Sequence, residues 1–125
     1  MAITGVAYVR AQRARAKILA DALKAMEHHD ILAAPGSAIT APKIGETRIV
    51  VGGSEQRVDV VNEILRFTSP FDCTGQPALA MPIGLGSDGL PLSMQIVGRP
   101  FDEPAVIRVA AAYEAARAPL PPPSI

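Results

Sequence analysis

The stretch FTSPFDCTGQPALAMPIGLGSDGLPLSMQIVGRPFDE, Phe67 to Glu103, carries the clearest local pattern in the chain. Two apolar runs, 78–83 and 92–97, flank a connection, 84–91, whose Asp88-Gly89 step supplies the positive φ that a hairpin turn requires. In the second run Leu92, Met94 and Ile96 alternate with Ser93, Gln95 and Val97, the period of a strand with one covered face. The first run is apolar throughout, which predicts a strand covered on both faces. Before the hairpin, 68–77 is dense in turn formers and predicts an ordered connection with a short helical turn. After it, Asp102-Glu103-Pro104 starts a helix with Val106, Ile107, Ala110 and Tyr113 on one face, ending near Ala118 just before Pro119.

Upstream, apolar or small residues at Tyr8, Ala11, Ile18, Leu19, Ala22, Leu23 and Met26 recur at helical spacing, with Arg10, Arg13, Lys17, Asp21 and Lys24 between them. That pattern predicts a long amphipathic helix over about 5–28, its charged side solvated. The short apolar run 30–35, bounded by His28-His29 and Pro35-Gly36-Ser37, suits a buried strand, and 36–46 is loop-like. Residues 48–51 form a brief strand that breaks at Gly52-Gly53, after which Ser54 or Asp59 caps a helix reaching Phe67. Helix, strand, loop, helix, hairpin and helix make an α/β arrangement with a mixed sheet, a hairpin within it and helices flanking it. Residues 1–118 are expected to be one domain, and 119–125 a Pro-rich carboxy-terminal tail.

Composition limits what such a chain does. Among 125 residues, 12 basic side chains balance 12 acidic ones, so there is no global positive field to hold a phosphate backbone or an anionic membrane. No nucleic acid and no membrane are expected as partners. The single Cys73 rules out an internal disulfide, and the start Met1-Ala2-Ile3-Thr4-Gly5-Val6 lacks a signal-like pattern; a cytoplasmic location is the expectation.

Several marks within 67–103 stand in an order that resembles the carboxy-terminal portion of amidase signature enzymes. These are Thr68, Gly75, Pro77-Ala78, Pro82-Ile83-Gly84, Asp88-Gly89-Leu90-Pro91, Gln95-Ile96-Val97-Gly98 and Asp102-Glu103. Tyr8, Arg13, Asp30-Ile31-Leu32 with Pro35, and Ala41-Pro42 extend the resemblance over nearly the whole chain. This family of amide hydrolases includes one component of the glutamyl-tRNA amidotransferases. The resemblance implies that the chain corresponds to the last part of the fold only, with the hairpin joined to a larger mixed sheet and the connection 67–75 near the substrate entrance. It also implies chemistry that uses no metal or nucleotide cofactor: a Ser nucleophile activated through a second Ser and a Lys, with a Gly-Ser-rich loop for the oxyanion. A Ser hydroxyl is too weakly acidic to attack an amide unaided, so a base and oxyanion donors are indispensable. The resemblance places that apparatus in the amino-terminal and central regions of the family, and neither half of it is found in these residues.

No catalytic, cofactor-binding or metal-ligating residue is therefore assigned. Gly52-Gly53-Ser54 superficially matches a nucleophile loop, but Glu55-Gln56-Arg57 follows, with no second Ser and no further glycine. Lys17, Lys24 and Lys43 are the only lysines, and none lies in a matching motif. Cys73 with His28 or His29 would make a thiol and base pair, yet a lone Cys is more often a small buried hydrophobe. The adjacent histidines have no third ligand at a metal spacing and read as a helix end. Phe67 and Phe71 are expected as core anchors more than as an acyl pocket.

Two positions depart from the family pattern, Asp72 where Asn is expected and Ser93 where Gly is expected. A carboxylate cannot donate as an amide does, and Ser adds bulk. The run Ile64-Leu65-Arg66-Phe67 also lacks the acidic residue expected before the Thr in the glutamine-dependent tRNA amidotransferases, so the match leans towards general amidases. The expected function is that of an amidase family protein, here the carboxy-terminal portion and inactive alone, which meets a small amide substrate only if the missing amino-terminal portion is supplied. The alternatives are a stand-alone non-catalytic domain that self-associates, as a homodimer, or complements a catalytic chain, and a short hydrolase with a rebuilt site around Ser54 or Cys73.

Overall fold

The computed structural model describes residues 2–53 and 55–121. Ser54, one of the two caps considered, and the end of the expected tail, 122–125, lie outside the described residues. Helix α1 (Gly5–Ala25) starts at Thr4, whose side chain accepts from the Ala7 N–H at 3.2 Å. It leads into β1 (Ile31–Pro35), a small antiparallel pair β2 (Arg48–Val50) and β3 (Arg57–Asp59), and two short helices, α2 (Val60–Leu65) and α3 (Ser69–Thr74). Strands β4 (Ala78–Leu85) and β5 (Pro91–Gly98) then form the expected hairpin, and α4 (Glu103–Ala116) closes the fold.

The main sheet has the order β1-β5-β4. Gln95 stands opposite Ala34 on one side and Ala80 on the other. The α/β class with a hairpin flanked by helices is what the chain adopts; where a mixed sheet was expected, every strand pairing among the described residues is antiparallel. The reason is local: β5 runs opposite to both of its neighbours. Gly89 takes φ 77 in the hairpin turn, and the register shifts between Pro82 and Gly84, bending β4.

The expected roles of the two hairpin strands are exchanged. Strand β4, expected to be covered on both faces, is an edge strand whose residues are mostly exposed. Strand β5, expected to keep one open face, is buried from Gln95 to Gly98. Alternation reports covering only while one face is open, and the central strand has neighbours on both faces. On one side Ile96 joins Met81, Val106 and Ala110 in the core, with Ile31, Leu79, Met94 and Tyr113 packed around it. On α4 the buried face is Ala105, Val106 and Ala110, whereas Ile107, expected among them, is exposed. Asp102 caps this helix by accepting from the Ala105 N–H at 3.2 Å.

The remaining elements deviate in smaller ways. The first helix ends at Ala25 and none of its residues is fully buried: Leu19, Ala22 and Leu23 are half-buried, whereas the stripe from Tyr8 to Ile18 is exposed. Its anchor is Met26, fully buried just past the last turn, with its carbonyl accepting from Arg99 Nη2 at 2.6 Å. Strand β1 is half-buried at Ile31, Leu32 and Ala34, not the fully buried strand expected. Strand β3 was not foreseen; it occupies residues assigned to the approach of a helix, and Asp59 at its end caps α2 by accepting from the Asn62 N–H. No helix among the described residues is long and apolar enough to cross a membrane.

Candidate functional site

A cleft and a larger groove open around the main sheet. The cleft depends on how the connection before β4 is held down. Gln95 lies in the middle of β5, 3% exposed, and its Nε2 donates to the Phe67 carbonyl at 2.5 Å and the Pro35 carbonyl at 3.3 Å. A single side chain thus pins the start of the α3 connection and the end of β1 to the central strand. Gln76 does the same at the other end, donating from Nε2 to the Gly98 carbonyl at 2.9 Å and to Met26 Sδ at 3.2 Å. Between these anchors Thr68 and Pro70 open α3, and Gly75 closes it in the left-handed conformation. The result is a cleft of about 350 Å³ walled by Thr68, Phe71, Asp72, Gln76 and Gln95, with Ala78 and Ala80 of β4.

The larger groove, about 610 Å³, runs between the end of β1, the loop after it and the hairpin, with Ile39, Pro42, Ile64, Ile83 and Leu92 among its walls. Thr40 on this wall donates its hydroxyl to Asp88 Oδ2 at 2.6 Å, while Asp88 Oδ1 accepts from the Leu90 N–H at 3.1 Å. The Thr40 hydroxyl first, and the Leu90 N–H second, hold the Asp88 carboxyl below its ordinary value of 3.8. Ser93, the residue standing where Gly is expected, has its hydroxyl in the space that a side chain on Gly36 would occupy, and Gly36 donates its N–H to the Ser93 carbonyl at 2.9 Å. The added bulk is accommodated because its neighbour across the strand is itself a glycine.

The candidate catalytic residues are not assembled. Cys73 is exposed on α3, contrary to the buried hydrophobe expected; its carbonyl accepts from Arg15 Nε at 2.6 Å, and its neighbours across a shallow surface depression are Ile18 and Arg66. Within α3 the buried position is the adjacent Thr74, not Cys73. His28 and His29 lie exposed in the turn after α1. Lys17 pairs with Asp21 at 2.6 Å on the solvent side of that helix, Lys24 sits in its last turn, and Lys43 lies in the exposed loop after β1. Phe67 and Phe71 are half-buried, and Phe71 belongs to the cleft wall. Among the described residues no group of three or more His, Cys, Asp or Glu is placed to hold a metal ion.

Sequence reasoning missed Gln76 and Gln95 as the residues that shape the cleft. Their signal was present, since a Gln on a strand whose neighbours are Met94, Ile96 and Val97 reads as either solvent-facing or internally bonded. Only the position of β5 between two other strands decides which.

Similarity to known proteins bears on these surfaces. The amidase family model matches residues 2–107. The chain is 33% identical over 111 residues to a fatty acid amide hydrolase of Medicago truncatula, covering 89% of this chain and 18% of that protein. To a glutamyl-tRNA(Gln) amidotransferase component of Myxococcus xanthus it is 38% identical over 107 residues, covering 86% of this chain and 21% of that protein. Among solved structures, a crystal structure of an amidase superposes with a TM-score of 0.85 at 25% identity, over 93% of this chain and 26% of that one. The chain thus spans about a fifth of the length of the curated relatives it matches. By the match to the family model across most of its length, and by the fold that carries it, this chain belongs to the amidase family.

Proposed function

We propose that these residues are the carboxy-terminal part of an amide hydrolase acting on carbon–nitrogen bonds of a small amide, and that they are inactive alone. In this reading the nucleophile, its base and the oxyanion donors come from outside the 125 residues, and none of Ser54, Cys73, His28, His29, Lys17, Lys24 or Lys43 is catalytic. What supports it is coverage: nearly the whole chain superposes on about a quarter of a solved amidase, and the nucleophile and base candidates with described positions lie apart on exposed surfaces. Residues 1–118 form the domain in this reading and 119–125 its tail. The same reading keeps the protein cytoplasmic, where an exposed thiol such as Cys73 stays reduced.

The contribution of the chain is then structural and selective. Acyl transfer from an amide needs a deprotonated nucleophile and donors aimed at the developing oxyanion. The sheet brings a preformed cleft and groove to that apparatus, and the Gln95 and Gln76 hydrogen bonds fix their walls before substrate arrives.

A second reading has its own observation. Tyr8 and Val9 are well exposed on α1, and β4 presents an unpaired edge, so a second copy of the chain, as a homodimer, would cover surface that is otherwise open. Intact mass of the protein isolated from its source cells with an antibody to the tail separates the two. A mass several-fold above that of 125 residues supports the first; a mass equal to it, with a symmetric dimer by light scattering and no amide turnover, supports the second. Turnover by the 125-residue chain alone, lost in Ser54→Ala or Cys73→Ala, overturns both.

A further inference from the structure

The polar wall of the cleft beside α3 consists of hydrogen-bond acceptors. Asp72 is a carboxylate and takes part in no ion pair among the described residues. Gln95 uses its Nε2 on the Phe67 and Pro35 carbonyls, so the oxygen is the end of that amide left for a ligand. Gln76 uses its Nε2 on Gly98 and Met26, and its buried Oε1 has no partner. Thr68 donates its hydroxyl to the Leu65 carbonyl at 3.5 Å, which leaves its oxygen lone pairs. Phe71 adds an aromatic ring, whose faces carry negative partial charge.

The guanidinium groups adjoining this connection do not neutralise it. Arg66 pairs with Glu63 at 3.3 Å and lies over the Phe67 ring, and Arg15 donates to the Cys73 carbonyl. An anion meets the Asp72 charge with no donor to hold it. A neutral apolar group takes water from the Asp72 carboxylate and gives it no hydrogen bond in return. A cationic group that carries several N–H bonds matches the chemistry of the accessible wall: the carboxylate, the Gln95 oxygen and the ring.

We propose that this cleft binds a small organic cation, a primary ammonium or guanidinium group, with Asp72 as its counter-charge and Phe71, Gln76 and Gln95 as its walls. Resting on the amide-hydrolysis reading, the inference extends to substrate class: the preferred amide carries such a group. Asp72 is then a specificity residue, and the departure from Asn at this position is its origin.

The test is a titration of the ¹⁵N-labelled 125-residue chain by proton–nitrogen correlation NMR. The probe is n-butylammonium chloride, with 1-butanol and sodium chloride at matched ionic strength as references. Saturable shifts grouped on residues 68–76 and 95, including the Gln side-chain NH₂ signals, are expected with n-butylammonium alone. Asp72→Asn, an exposed and nearly isosteric change, is expected to weaken that binding about three- to fivefold. Equal shifts with 1-butanol, shifts reproduced by sodium chloride, or unchanged affinity in folded Asp72→Asn overturn the proposal. The ammonium-versus-alcohol contrast needs no variant, so a misfolded Asp72→Asn still leaves a decisive result. Binding without amide turnover, once the catalytic portion is supplied, refutes the hydrolase reading and leaves the cation cleft standing; absence of binding refutes the cleft whatever the activity.

Discussion

On α4, Val106 and Ala110 are 3% and 8% exposed and close over Met81 and Ile96; on α1, Tyr8 and Val9 are 60% and 49% exposed and no residue of the helix is buried. Both helices carry apolar residues at helical spacing. The first packs on α3 with Leu19, Ala22 and Leu23 half-buried, and is tied down by the Arg15 bond and by the Met26 anchor with Arg99 and Gln76 around it, while its amino-terminal part stays exposed. An apolar stripe states that a helix wants a partner surface and is silent on whether that surface belongs to the same chain. The chain spans about a fifth of the length of its curated relatives, and in the reading proposed above further protein covers the exposed amino-terminal part of this stripe.

Substitutions in the two regions sharpen this contrast. Ile96→Ala, at the centre of the covered face, is expected to cost about 2–5 kcal/mol in urea unfolding of the chain, against about 0.5 kcal/mol or less for Ile18→Ala on α1. Equal costs would mean that α1 is packed in solution and would break the comparison. Next in size is Gly98→Ala: its new methyl would lie 2.7 Å from Val106 Cγ2 and 3.2 Å from the Asp102 carbonyl, a clash between β5 and the start of α4 worth about 1–3 kcal/mol. A midpoint within error of wild type would show that α4 moves away freely.

A smaller effect of opposite sign is expected just after β5. Phe101 has φ 64 and is almost fully exposed, so the side chain adds strain without packing. Phe101→Gly is expected to stabilise the isolated chain by about 1 kcal/mol; a destabilised variant would reveal packing that the isolated fold lacks. The smallest effect concerns Asp88. Its carboxyl is held below the ordinary range by the Thr40 hydroxyl and the Leu90 N–H, so its contribution to stability is present above the unfolded-state value and is lost as pH falls through the lowered folded value. Wild type is expected to lose slightly more stability than Asp88→Asn when urea midpoints at about pH 6 and about pH 2 are compared; identical losses would remove the role of the Thr40 contact.

Legibility in the sequence followed the range of the interactions. The Asp88-Gly89 turn, the Asp102 cap with Pro104 behind it and the helical spacing before Ala25 are set by neighbours a few residues apart, and each forms as the residues predict. The cleft was not legible as a site because its walls come from three separate segments, 68–76, 78–80 and Gln95. Cys73 was misread for the same reason: a thiol is buried or exposed according to which face of α3 meets α1, and composition carries no record of that.

By itself the sequence determined the element types, the hairpin and the ordered marks of an amidase, because turn chemistry, capping and periodicity act within one element. Only the tertiary structure decided that β5 and not β4 is the covered strand, that Gln76 and Gln95 turn inward to hold a loop, and that the amino-terminal part of the α1 stripe stays open. Burial belongs to pairs of surfaces, and the position of a strand within a sheet is fixed by contacts between residues far apart in the chain.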